Sequence, residues 1–258
     1  MTNYQHPHLS ESERGLLKVF RNSSLLEKLF ALRKWRKYYL SSLKRSVRAF
    51  SERHSHISLK GHIDLPPEFN YREEIALPRG AQINGQFYSN GYEIEVAELP
   101  KEIRELVLSF RCIVENYFAC ETNVNKAQFW RNLHVPSEIA EKGAEVFSDA
   151  FHQDLVFDQY NMQLFILLQD TTEKDGPFEY LDSEIQANEM QYYIKRNRKA
   201  PLSRSEKLTG KRGDYMLFTT GLTLHKAGIP SANHQRDIMS IAFFPSYTKI
   251  GRPISELN

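Results

Sequence analysis

Between Pro100 and Ala119 the apolar residues Ile103, Leu106, Val107, Phe110, Ile113, Val114 and Tyr117 recur at steps of three and four. That spacing puts them on one face of a 3.6-residue helix, opened by a proline suited to a first turn, so one amphipathic helix is expected over 100–119. Its apolar face needs a sheet to cover it. The pattern then changes. Segments 127–134, 150–158, 161–170, 177–181, 214–220, 222–227 and 237–246 are short, rich in β-branched and aromatic residues, and separated by turn formers, as strands are. Upstream, Pro66, Pro67, Pro78, Gly80, Gly85 and Gly91 break 57–96 into loops and short strands.

The front of the chain is helical in pattern. Ser10 followed by Glu13 forms a capping box ahead of Leu16, Leu17, Val19 and Phe20. From Ser24 to Phe50, Leu25, Leu29, Leu32, Tyr39, Leu43, Val47 and Phe50 mark one face, interrupted by Arg36, with most lysines and arginines opposite. Helices followed by many antiparallel strands predict an α+β chain. Its catalytic half is expected to be a double-stranded β-helix, a jelly roll, with the N-terminal helices packed on or beside it. The expected division is a basic helical extension over 1–56 and one jelly-roll domain over 57–258, which 258 residues accommodate with a full core.

Composition adds little to this except in its distribution. With 41% hydrophobic and 26% charged residues the chain reads as a soluble folded protein. It has no apolar run of about 20 residues to span a membrane and no signal-peptide core, which points to the cytoplasm. The net charge of +2 conceals eleven basic residues against two glutamates between Lys18 and Arg53. A helix so charged, with Trp35, Tyr38 and Tyr39 near its boundary, suits a peripheral membrane or other anionic surface. The simpler expectation is a helix packed on the core with a solvated face. Cys112 and Cys120, eight residues apart in a helical pattern, lie about 12 Å apart at ~1.5 Å per residue and are expected to be buried reduced thiols.

Candidate chemistry begins in FHQDLVFDQY, where His152 and Asp154 are one residue apart on an expected strand. A side-chain period of two points both to one face, as two ligands of one metal require. His225, in GLTLHKAG 73 residues later, is a candidate third ligand on another strand. Two imidazoles and a carboxylate leave metal positions open, an arrangement suited to non-haem Fe(II). Arg236 lies eleven residues after His225 and leads into the apolar strand DIMSIAFFP. An arginine there is costly to turn inwards unless it meets an anion, and its planar fork suits a carboxylate.

These residues resemble the phytanoyl-CoA dioxygenase family of Fe(II)- and 2-oxoglutarate-dependent dioxygenases. The resemblance covers roughly Phe129 to Pro245 and rests on His152-x-Asp154, LFILLQD ending in Asp170, DGPFEYL, GDYMLFTTGLTLHKAG and Arg236. It implies Fe(II) held by His152, Asp154 and His225, and 2-oxoglutarate held at its distal carboxylate by Arg236. It also implies decarboxylation of that co-substrate to succinate and carbon dioxide, coupled to hydroxylation of an unactivated C–H bond. The carboxylate of Asp154 speaks against halogenation. Two features depart from the family. Phe178, Glu179, Tyr180, Leu181 and Asp182 replace its usual Pro-Gly-Ser-His motif, and a basic polar stretch over 183–207 follows, with Lys195, Arg196, Arg198, Lys199 and Arg204. The cofactor chemistry transfers and the acyl-CoA substrate does not. An anionic or membrane-associated substrate is slightly favoured by the basic segments.

Thr223, two residues before His225, is a candidate for the 2-oxoglutarate carboxylate, and Gln163, Arg131 and Asn132 are candidates to line the cavity. Trp130 and Phe129 read as core, and His54 and His56 as surface histidines. The stretch around Lys195 to Arg204 reads as a solvated loop, or as a lid that recruits an anionic substrate. The alternatives to a dioxygenase are a non-catalytic jelly-roll module binding a sugar or peptide around a vestigial metal site, and a zinc or manganese jelly-roll enzyme. No nucleic acid is expected as a partner, since no recognition signature accompanies the charge.

Overall fold

The computed structural model describes residues 57–67, 69, 75, 78, 82–83, 85–118, 120–140, 148–149, 151–152, 162–181, 205–220, 223–246 and 250–257. The expected helices over 1–56, His54, His56, Asp154 and the basic stretch around 195–204 lie outside the described residues.

In chain order the strands are β1 (Ser58–His62), β2 (Gln82–Ile83), β3 (Gln86–Phe87), β4 (Ser89–Ile94), β5 (Thr122–Val124), β6 (Ala127–Leu133) and β7 (Met162–Leu167). They continue with β8 (Phe178–Tyr180), β9 (Glu206–Leu208), β10 (Asp214–Thr219), β11 (His225–Lys226), β12 (Gln235–Pro245) and β13 (Arg252–Pro253). The long β12 organises the larger, eight-stranded sheet. It pairs β7 along one edge, and along the other it pairs β6 through Gln235–Ser240 and β5 through Phe243–Pro245. β10 and β1 extend the sheet beyond β7, and β4 extends it beyond β6. The smaller sheet runs β11, β8, β9, with His152 bridged to His225 on its β11 side. Every pairing between these strands is antiparallel.

Alternation along β12 separates the two faces of the larger sheet. Met239, Ile241 and Phe243 join Phe129, Met162, Leu164, Ile166 and Leu217 in one core. Helices α1 (Lys101–Ser109) and α2 (Arg111–Phe118) complete that core with Ile103, Val107, Phe110, Val114 and Tyr117. The amphipathic face read from sequence therefore covers the sheet as expected. The single helix does not survive, because the chain breaks at Phe110, whose amide turns back to the carbonyl of Val107 at 3.3 Å. Cys120 is buried, but Cys112 is exposed on α2, which corrects the expectation of two buried thiols; neither forms a disulfide.

On the opposite face Ile238, Leu167, Met216 and Phe218 meet Phe178 and Tyr180 of β8 and Leu208 of β9. Two antiparallel sheets packed through this second core form the jelly roll, an α+β architecture with the helices beneath the larger sheet. The sheets do not close into a barrel. At their open edges Lys60 of β1 reaches Glu206 of β9 at 2.6 Å, and the Tyr180 hydroxyl donates to the same carboxylate at 3.0 Å. Among the described residues, no helix is long and apolar enough to cross a membrane.

Candidate metal and co-substrate site

His152 and His225 face each other as an antiparallel pair. The amide of each donates to the carbonyl of the other at 2.9 Å, and their ring centroids stand 4.4 Å apart. This closely hydrogen-bonded pairing puts both side chains on one face of the smaller sheet. His225 is buried, with Phe178 and Phe218 packed at 5.4 and 5.6 Å from its ring centroid. Its Nδ1 lies 2.8 Å from the carbonyl of Thr223. A carbonyl only accepts, so Nδ1 carries the proton and the Nε2 lone pair is the one available to a metal, as in histidine ligands oriented by a backbone carbonyl.

The other end of the site is set by β12. Arg236, Ile238 and Ser240 point into a cavity of about 280 Å³ that also receives His152 and His225. Arg236 is buried, its Nη1 donates to the carbonyl of Gly176 at 2.5 Å, and among the described residues its Nε has no hydrogen-bond partner. Burial pushes the guanidinium down to about 10 by desolvating its charge. A buried cation with an unmet donor is an anion site by its chemistry.

The secondary candidates divide by strand parity. Gln128, Trp130 and Asn132 of β6 and Gln163 and Phe165 of β7 line the cavity. Arg131 does not. It lies on the opposite face, where Nε and Nη2 grip both oxygens of the buried Asp237 at 2.7 Å each. Successive residues of a strand face opposite ways, so Asn132 and Arg131 cannot both look inwards. Phe129 is core as expected, whereas Trp130 faces the cavity. Thr223 is wholly buried in a bend before β11, its hydroxyl has no partner among the described residues, and its carbonyl is what fixes the His225 ring. The strand expected over 222–227 is thus only His225–Lys226. Among the described residues no three metal-ligating side chains gather, so the two histidines form the described part of the expected set.

Sequence reasoning missed the turn that receives Arg236. Thr172 and Asp175 form a capping box, in which the Thr172 amide and hydroxyl reach Asp175 Oδ2 at 2.7 and 2.6 Å. His234 Nδ1 reaches Asp175 Oδ1 at 2.9 Å. Burial alone would raise the Asp175 carboxyl, but the Thr172 donors and His234 hold it below the usual range. The Thr-x-x-Asp spacing was the signal available in the sequence.

No family model matches the chain, and none of the curated proteins matches it. Solved structures are similar to it. The non-haem α-ketoglutarate-dependent epimerase SnoN from nogalamycin biosynthesis shares 14% identity over 80% of this chain and 84% of its own, with a TM-score of 0.49. The carbocyclase SnoK from nogalamycin biosynthesis shares 12% over 80% and 90%, with a TM-score of 0.48. HygX from Streptomyces hygroscopicus, solved with nickel, 2-oxoglutarate and hygromycin B bound, shares 10% over 75% and 84%, with a TM-score of 0.48. The function proposed for this chain rests on its own residues.

Proposed function

We propose that the chain is an Fe(II)- and 2-oxoglutarate-dependent dioxygenase. His152, Asp154 and His225 hold the metal, and Arg236 receives the distal carboxylate of 2-oxoglutarate. The observation that carries this reading is the buried Arg236 guanidinium, with an unmet Nε donor, in the same cavity as the paired histidines. A dicarboxylate with one end at the metal and the other at Arg236 supplies the missing anion and explains why one cavity contains both features.

Bound there, Fe(II) supplies oxygen activation coupled to breakdown of 2-oxoglutarate to succinate and carbon dioxide, with hydroxylation of a substrate C–H bond as the outcome. The chain's residues orient and enclose. The Thr223 carbonyl holds His225 Nδ1, leaving Nε2 to the metal, and Phe178 and Phe218 shield that ring from water. Arg236, pinned by the Gly176 carbonyl, sets the far end of the co-substrate. The likeness to phytanoyl-CoA dioxygenases concerns this cofactor machinery. The proposed peripheral contact of 18–53 with an anionic surface rests on its charge pattern and on Trp35, Tyr38 and Tyr39.

Succinate formation tests the reading. Full-length protein supplied with Fe(II), 2-oxoglutarate and oxygen is expected to release succinate slowly without added substrate, and His225→Ala and Arg236→Ala are expected to stop it. Absence of succinate from metal-loaded wild type contradicts the assignment.

A further inference from the structure

Arg236 and His234 are both held by one turn, and they reach it in parallel. Two residues apart at the start of β12, they contact consecutive residues of that turn, His234 at the Asp175 carboxylate and Arg236 at the Gly176 carbonyl. The geometry points to His234 and Asp175 as positioning residues that set the Arg236 guanidinium for the distal carboxylate of 2-oxoglutarate, an inference that rests on the function proposed above.

The carbonyl that orients Arg236 takes its position from its turn and from the segment packed against that turn. Gly176 sits at φ 63° and ψ 60°, and a Cβ there would lie 2.4 Å from the nitrogen of Pro230 and 2.5 Å from the carbonyl carbon of Ile229. The turn carrying Gly176 is therefore pressed against the segment that links His225 to Arg236. Further bonds fix that contact. The Ser231 amide donates to the Lys174 carbonyl at 2.8 Å, and His134 Nδ1 reaches the Pro230 carbonyl at 2.8 Å. Asn233, with φ 64°, reverses the chain so that His234 faces Asp175; asparagine is one of the few residues that enters that region readily.

Asp175 joins the two sides. Oδ2 closes the capping box on Thr172 and fixes the shape of its own turn, while Oδ1 accepts from His234 of the opposing segment. Without His234, the turn keeps its internal cap but loses the side-chain tie just before β12 that backs up the Arg236 contact. The Gly176 carbonyl then drifts relative to Arg236, and the guanidinium loses its one described acceptor at the required angle. The metal end is untouched, because His152 and His225 are tied to each other and to Thr223 instead.

The test uses the full-length chain loaded with Mn(II) and titrated calorimetrically with 2-oxoglutarate and with pyruvate, which lacks the distal carboxylate. His234→Ala is expected to weaken 2-oxoglutarate binding about tenfold, the scale of losing an outer-shell partner, with Mn(II) affinity and pyruvate binding unchanged. In turnover the same change appears in KM for 2-oxoglutarate and not in kcat. His234→Asn, whose amide nitrogen stands where Nδ1 stood, is expected to restore most of the binding. His234→Gln, whose donor stands at the Nε2 position, is expected not to. This Asn and Gln pair keeps the test decisive should the alanine variant fail to fold. Wild-type binding by His234→Ala, equal loss of Mn(II) and 2-oxoglutarate, or no difference between Asn and Gln overturns the positioning role. A wild type that binds no 2-oxoglutarate overturns the proposed function itself, and that result is visible in the wild-type titration alone.

Discussion

His152 and His225 exchange both backbone hydrogen bonds at 2.9 Å, so two residues 73 positions apart present their rings as neighbours, 4.4 Å between centroids. This pairing ties the metal end of the proposed site to the ladder of the smaller sheet. His225→Ala and Asp154→Ala are each expected to reduce Fe(II) or Mn(II) affinity beyond the 10–100-fold typical of losing an outer-shell partner, because each removes a proposed ligand outright. Metal content after dialysis and calorimetric titration check this. The fold is expected to persist, since the backbone bonds of the pair do not depend on the side chains.

Arg236 gives a prediction with opposite signs for stability and binding. Its guanidinium is wholly buried with a donor unmet among the described residues, so Arg236→Met is expected to match or exceed the wild-type melting temperature in the absence of ligand. The same variant is expected to lose the stabilisation that saturating 2-oxoglutarate confers on wild type, and about 100-fold in affinity for it. Thermal melts with and without 2-oxoglutarate measure both effects.

Thr223 separates a side-chain role from a main-chain one. Its hydroxyl is buried without a partner among the described residues, while its carbonyl orients His225. Thr223→Val is therefore expected to leave metal affinity unchanged and to raise stability by up to about 1 kcal/mol by removing an unmet polar group. A loss of 2-oxoglutarate affinity in this variant would return the hydroxyl to the role expected from sequence.

Asp175 sets a dependence on pH. Its folded carboxyl lies below the ordinary value of 3.8, so its stabilising contribution is full above that value and is lost as pH falls through the lower folded value. Asp175→Asn is expected to melt lower than wild type at neutral pH and to converge with it below about pH 4. Parallel melting curves from pH 7 to 3 would contradict this.

The sequence made the outline legible where periodicity was strong. The face of α1 and α2 and the strand β12 followed from the residue pattern, and the inward direction of Arg236 from the chemistry of an arginine leading into an apolar strand. Parity along β6 was available in the sequence but was not applied, since Arg131 and Asn132, both expected to line the cavity, are neighbours on a strand and cannot share an inward direction. Other features depended on contacts between distant segments. The Gly176 carbonyl meets Arg236 across 60 positions, and no local pattern announces it. Trp130 looks like core by residue type, yet its place opposite Ile238 on β6 turns it to the cavity. The break at Phe110 interrupts an apolar period that runs on through it, so hydrophobic spacing alone could not place it.

The central claim is that one cavity holds a metal at the histidine pair and 2-oxoglutarate between that metal and Arg236. Visible absorption of the anaerobic full-length protein with Fe(II), before and after 2-oxoglutarate is added, tests it most directly. Wild type is expected to develop a weak metal-to-ligand charge-transfer band that is lost in His225→Ala and needs a far higher 2-oxoglutarate concentration in Arg236→Met. A wild type that gives no band, or a band indifferent to both substitutions, contradicts the account.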